Sequence, residues 1–237
     1  MHVLVSYAVT GAVCLALEQG LRALAGHQVV SSVTARRLTH ALMGPVFMGC
    51  WPLFSATPTT QEALLAASVP LLVTLKFALI GFGILNDDFT VRMLCRHGDR
   101  TEILYGPVQY GIIFTTATAL YFQSPLAVVC LMNLCVGDVM AAILGARYGK
   151  TRWPLPVGNP KTILGSVAFL VSSFPASWLM LHTMGLVLPS MHPLPTTAQL
   201  GVVSTAAALV EALSPSKLDN ITVFLSTLFI YHTFITA

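Results

Sequence analysis

The residues able to do chemistry gather in one stretch, Gly137 to Ser166. A single acid, Asp138, stands there inside an apolar run of helical character. Small residues follow at Ala141, Gly145 and Gly149, steps of three and four that keep them on the Asp138 face of a helix. A basic stretch comes next, with Lys150, Arg152 and Lys161, and with Thr162 beside the last. A carboxylate suits a hard divalent cation such as Mg²⁺, a strip without side chains admits close approach, and cations neutralise phosphate oxygens. The combination reads as a nucleotide site.

Each of these residues also has a plainer reading. An acid within a span is expensive and functional by default, the alternative being a packing acid satisfied by Asn133 or a neighbouring arginine. Gly145 and Gly149 form a GxxxG pair, which serves close helix packing as readily as nucleotide approach. Lys161 is either a snorkelling lysine or a phosphate ligand beside helix N-terminal amides and the Thr162 hydroxyl. Glu211 ends an apolar span and pairs with Asp138 as a metal-holding or hydroxyl-deprotonating carboxylate; Asp219 joins them or caps the next helix. Asp87 and Asp88 are a second metal ligand, a base, or part of a solvated hinge. Lys76, near mid-span, pairs with an acid or reaches a phosphate. Arg36, Arg37 and His40 stand just before the second apolar segment, where arginines ordinarily mark a cytosolic edge.

The elements that must position these residues are membrane helices. The chain has 237 residues, 55% of them hydrophobic and only 9% charged, whereas soluble domains carry about 25% charged residues. The reading is an all-α, polytopic integral membrane bundle of seven to eight transmembrane helices, one domain over 1–237. Eight apolar segments run over roughly 3–20, 38–54, 63–85, 105–122, 126–145, 163–188, 198–213 and 220–236. Eleven of the twelve Lys and Arg residues fall in alternate connections: Arg22, Arg36, Arg37; Arg92, Arg96, Arg100; Arg147, Lys150, Arg152, Lys161; and Lys217 in the Ser214-Pro215-Ser216-Lys217 turn. By the positive-inside rule both termini face the lumen or exterior, and the basic connections face the cytosol or stroma. The start, MHVLVSYAVTGAVCLAL, lacks a cationic leader region and reads as a first span, with no transit peptide. A net charge of +3 without a basic run excludes nucleic acid as a partner. Five cysteines without CxxC read as buried thiols, and seven scattered histidines carry no zinc motif.

Asp138-x-x-Ala141-x-x-x-Gly145-x-x-x-Gly149, followed by Pro160-Lys161-Thr162-x-x-Gly165, resembles the CTP-binding signature of the polyprenol kinase and CDP-diacylglycerol synthase superfamily. The resemblance covers nearly the whole chain and is closest to the phytol kinases. It includes Arg36-Arg37-Leu38-Thr39-His40, the run Gly44 to Phe54, Leu85-Asn86-Asp87-Asp88, Glu102-x-x-x-Gly106-Pro107, Val210-Glu211-Ala212-Leu213 and Leu218-Asp219-Asn220. It implies a membrane kinase that moves a phosphoryl group from CTP, or UTP, to phytol or a related prenyl alcohol such as farnesol or geranylgeraniol, feeding tocopherol synthesis. The implied setting is a chloroplast membrane in a eukaryote, or a cell or thylakoid membrane in a prokaryote. On this reading Asp138 and Glu211 hold Mg²⁺. Gly145, Gly149, Lys161, Thr162, Arg37 and Arg152 bind the nucleotide, and Glu211, Asp219, Asp87, Asp88 and Lys76 serve the transfer. The chain departs from the family pattern at Ala142, where an acid is usual, at Ala146, where an arginine is, and at Ile163-Leu164, where Trp-Ala is. A cytidylyltransferase of the same superfamily and a transporter are the alternatives, separable by the fate of labelled CTP.

Overall fold

A computed structural model of the chain describes residues 2–95, 98–154, 161–215 and 217–235; Arg96, Pro160 and Ser216 lie outside them. The described residues are helical throughout apart from turns and one isolated bridge, so the all-α membrane bundle expected from composition is the fold. The contacts gather into two compact units, Met1–Leu120 and Tyr121–Ala237.

The first unit holds α1 (Val3–Gly26), α2 (Ser32–Gly49), α3 (Thr60–Gly81), the short α4 (Asp88–Leu94) and α5 (Glu102–Tyr105), and most of α6 (Pro107–Tyr121). The second holds α7 (Pro125–Met132), a π-helical turn (Asn133–Gly137), α8 (Asp138–Tyr148), α9 (Ile163–Gly185), α10 (Thr197–Leu213) and α11 (Asp219–Phe234). Local chemistry marks several starts. Thr59 with Glu62 and Thr196 with Gln199 form reciprocal capping boxes at α3 and α10. Ser124 caps α7 ahead of Pro125, whose missing N–H costs nothing in a first turn.

Among the described residues, four helical runs are long and apolar enough to cross a membrane: Val3–Gly26, Thr60–Gly81, Pro125–Tyr148 and Ile163–Gly185. Thr197–Leu213 is shorter but apolar. Boundaries differ from the sequence reading where charges are satisfied within helices. Arg22 is not in a loop: α1 continues past it because Arg22 pairs with Glu18 one turn earlier, at 3.6 Å. Arg36 and Arg37 likewise lie inside α2, and Arg36 donates to the Leu94 carbonyl at 2.8 Å, satisfying the end of α4. The connection after α3 folds into α4 and α5 around buried Ile80, Cys95 and Ile103, so it is no open hinge.

In the second unit α7, the π turn and α8 form one continuous run that packs along α9. Lipid tails are as apolar as leucine, so contact between spanning helices depends on close fit. Gly145 supplies it: a Cβ there would meet Thr162 Oγ1 at 2.9 Å and the Gly165 Cα at 3.2 Å. Gly137 does the same against the Phe169 ring, at 2.8 Å.

Candidate active site

The connection from α8 to α9 is pinned at its neck. Arg152 and Thr162 form an antiparallel bridge, with Trp153 N–H donating to the Lys161 carbonyl and Ile163 N–H to the Thr151 carbonyl, each at 3.0 Å. The Trp153 indole N–H donates to Ser166 Oγ at 3.0 Å. Thr162 caps α9, its hydroxyl accepting from the Gly165 amide at 3.1 Å. Backbone geometry on both sides therefore fixes where Lys161 leaves the chain.

Its ammonium lies among acids. Lys161 Nζ donates to Glu211 Oε1 and, at 2.9 Å, to Asp219 Oδ2. Asp138, Glu211 and Asp219 each offer an oxygen, and these three atoms lie within 4.8 Å of one another. Asp138 opens α8 after the π turn, Glu211 sits near the end of α10, and Asp219 begins α11. The α10–α11 turn holds the last two in place: Ser214 Oγ donates to the Val210 carbonyl at 2.6 Å, and Asp219 Oδ1 accepts from the Asn220 amide at 3.0 Å. Asp219 is thus the first residue of its helix, with Leu218 at the cap position. The side chains of Glu211 and Lys161 are 4% and 18% exposed, enough burial for charge to matter. Burial disfavours the Lys161 ammonium, but the charges of Glu211 and Asp219, the hydrogen bond to Glu211 and the charge of Asp138 outweigh it, so its pKa rises.

Three carboxylates gather around one ammonium. Hard oxygen donors at this spacing fit a divalent cation of the Mg²⁺ or Mn²⁺ kind. The π turn is part of this geometry. Its widened backbone, in which the Asp138 amide bonds to the Asn133 carbonyl, is the kind of irregularity often found at functional positions. Sequence patterning carries no signal for it.

The other candidate residues have their own local settings. The space beside Gly145 and Gly149 is filled by Thr162, whose Oγ1 lies 2.9 Å and 2.5 Å from the positions a Cβ would take. Arg152 is exposed at the neck of the connection. Four candidates belong to the first unit. Asp87 caps α4, accepting from the Thr90 amide at 2.9 Å and hydroxyl at 2.6 Å, and pairs with Arg22 at 3.4 Å. Asp88 is exposed in the first turn of α4, and Arg37 is half-buried in α2. Lys76 is half-buried in α3 and makes no ion pair among the described residues. Sequence reasoning missed Trp153 with Ser166, and Arg22 as the partner of Asp87; an indole beside a basic connection was the one visible hint.

No family model matches the chain, and no solved structure matches it. Named proteins do. The chain is 38% identical over 198 residues to the farnesol kinase, chloroplastic, of Arabidopsis thaliana, covering 81% of this chain and 62% of that protein. It is 35% identical over 232 residues to the probable phytol kinase 2, chloroplastic, of Oryza sativa subsp. japonica, covering 95% and 74%. To the phytol kinase 1, chloroplastic, of Arabidopsis thaliana it is 30% identical over 219 residues, covering 90% and 70%. The chain therefore spans between about three fifths and three quarters of the length of these relatives.

Proposed function

The chain belongs to the phytol kinase family, and from that premise we propose that it transfers a phosphoryl group from CTP, or UTP, to the hydroxyl of a prenyl alcohol. Phytol is the first choice of acceptor, with farnesol and geranylgeraniol next. The observation that carries this reading is the cluster of Asp138, Glu211, Asp219 and Lys161, assembled from four separate positions of the second unit.

Phosphoryl transfer asks little covalent chemistry of a protein; it asks for positioning and for charge opposite the phosphate oxygens. Asp138 and Glu211 would hold Mg²⁺, with Asp219 beside them. The bound cation would supply charge neutralisation on the phosphates. Lys161, already held as a cation by three acids, contributes a fixed positive charge. Glu211 or Asp219 serves as the base that accepts the proton of the alcohol hydroxyl. Arg152 and Lys150, on the same connection, serve the outer phosphates. Gly145 and Gly149 act through packing, by bringing Thr162 and Lys161 close to α8. The relatives carry the word chloroplastic in their names, which supports a plastid membrane as the setting, with the basic connections on the stromal side.

The test is incubation of the purified protein with Mg²⁺, phytol or farnesol, and CTP labelled at either the α or the γ phosphate. Label from the γ position in a prenyl monophosphate is the expected result. Asp138→Asn should lower it by about 100-fold or more while the protein remains folded by circular dichroism. Lipid product carrying the α label would replace the kinase with a cytidylyltransferase.

A further inference from the structure

Away from the carboxylates, the interior of the second unit changes character twice. First comes a buried apolar layer of Ala141, Phe169, Ala207, Ala208 and Val223. One helical turn further from the charges, four residues along from Phe169, Ala208 and Val223, stand Ser173, Ser204 and Thr227. Asn133 stands four residues before Gly137, which abuts the Phe169 ring. All four polar residues are 0% exposed. Asn133 Nδ2 donates to Thr227 Oγ1 at 3.4 Å, which sets α11 and the π turn at one level.

The rest of that level is unsatisfied. Asn133 Oδ1 and the hydroxyls of Ser173 and Ser204 have no hydrogen-bond partner among the described residues, nor has Ser177, one turn beyond Ser173. Neighbouring hydroxyls behave differently. Ser172 Oγ donates back to the Ala168 carbonyl at 2.7 Å, and Ser226 Oγ to the Val223 carbonyl at 3.0 Å. A helical serine can thus satisfy itself on its own backbone, and these do not. A buried polar atom without a partner carries its full desolvation penalty, and lipid offers no relief. Several such atoms from three packed elements have one economical solution: internal water, which typically makes about three hydrogen bonds to buried groups of this kind. The groups are neutral amide and hydroxyl, with no carboxylate among them, so the chemistry favours water over a metal ion.

We infer that the level of Asn133, Ser173 and Ser204 is a buried water site, in which shared water bridges α9 and α10 to the π turn. The consequence reaches the carboxylates. The π turn leads directly into Asp138 and α10 carries Glu211, so this water ties together the helices that aim both acids. The inference rests on packing in the bundle and holds whatever the reaction catalysed.

The test uses the sign of a stability change in the full chain in lipid nanodiscs. Ser173→Ala and Ser204→Ala should each lower the Tm by about 2–4 °C, and the double variant should lose less than the sum, because both singles break one shared network. Ser172→Ala, whose hydroxyl is already bonded to its own helix, calibrates an ordinary helical serine. A dry layer predicts the opposite sign: removing an orphan hydroxyl would raise the Tm, and a rise in either single variant overturns the proposal. Strictly additive losses would overturn the shared water. A Tm that increases when sodium chloride replaces choline chloride, and no longer does so in Ser173→Ala, would replace water with a bound cation.

Discussion

Lys161→Met is the perturbation that most directly interrogates the charged cluster. The ammonium lies 2.9 Å from Asp219 Oδ2 and is bonded to Glu211 Oε1 as well. At an effective dielectric of about 20, unit charges at the 2.9 Å contact attract by roughly 6 kcal/mol. Two carboxylates at the 4.8 Å limit of the cluster repel by roughly 3.5 kcal/mol on the same scale. Relaxation and water entry reduce such figures, and removing one partner of a buried pair costs about 3–5 kcal/mol in practice. For a chain of this size that is a fall in Tm of about 6–20 °C. The assay is thermal unfolding in nanodiscs, with EDTA and then with millimolar Mg²⁺. The variant should be much less stable in EDTA and should regain more stability from Mg²⁺ than the wild type does, since the uncompensated acids then have a cation to hold. Adding Glu211→Gln should rescue part of the loss by removing one buried negative charge. A Tm within 2 °C of wild type, or a double variant weaker than Lys161→Met alone, would refute the claim that these four residues form one electrostatic unit.

Gly145→Ala should destabilise the second unit by about 1–3 kcal/mol, as its Cβ would meet Thr162 Oγ1 at 2.9 Å and the Gly165 backbone at 3.2 Å. Denaturation midpoints measure this, and Gly201→Ala, whose Cβ meets nothing closer than 3.9 Å, is the matched control. Asp87→Ala should remove the cap of α4 and the Arg22 contact, lowering stability by about 1–2 kcal/mol near neutral pH. Burial opposes ionisation of Asp87, but the hydrogen bonds from Thr90 and the charge of Arg22 prevail and hold its pKa below the ordinary 3.8. The sign follows: its contribution is present above that ordinary value and is lost as pH falls through the lowered one. Wild type and variant should therefore converge in strong acid, which unfolding curves at a series of pH values would show.

The recognisable parts of this protein in its sequence are those that a single helix can express. Apolar runs marked the long helices, although α1 continues to Gly26 and α2 begins at Ser32, six residues beyond the apolar runs 3–20 and 38–54, and the rarity of charge marked the membrane. Asp138, Lys161, Glu211 and Asp219 were identifiable one at a time, because an ionisable group beside or within an apolar span is costly wherever it lies. Their assembly was not readable. Lys161 and Glu211 are 50 residues apart, and nothing in spacing says that a loop lysine would sit between two acids from the ends of α10 and α11. The same limit explains Asp87, by sequence a metal ligand, a base or part of a solvated hinge; its place at the cap of α4 and its Arg22 partner, 65 residues away, are seen only in the folded unit. It explains Gly145 too, where only the neighbour's position shows that Thr162 fills the space. The buried serines of α9 and α10 carried no signal in spacing or type. Residue type and periodicity determine which face of a helix is which, because they are local. Which groups meet across helices, and which polar atoms are left for water, is decided only when the packing of all the helices is fixed together.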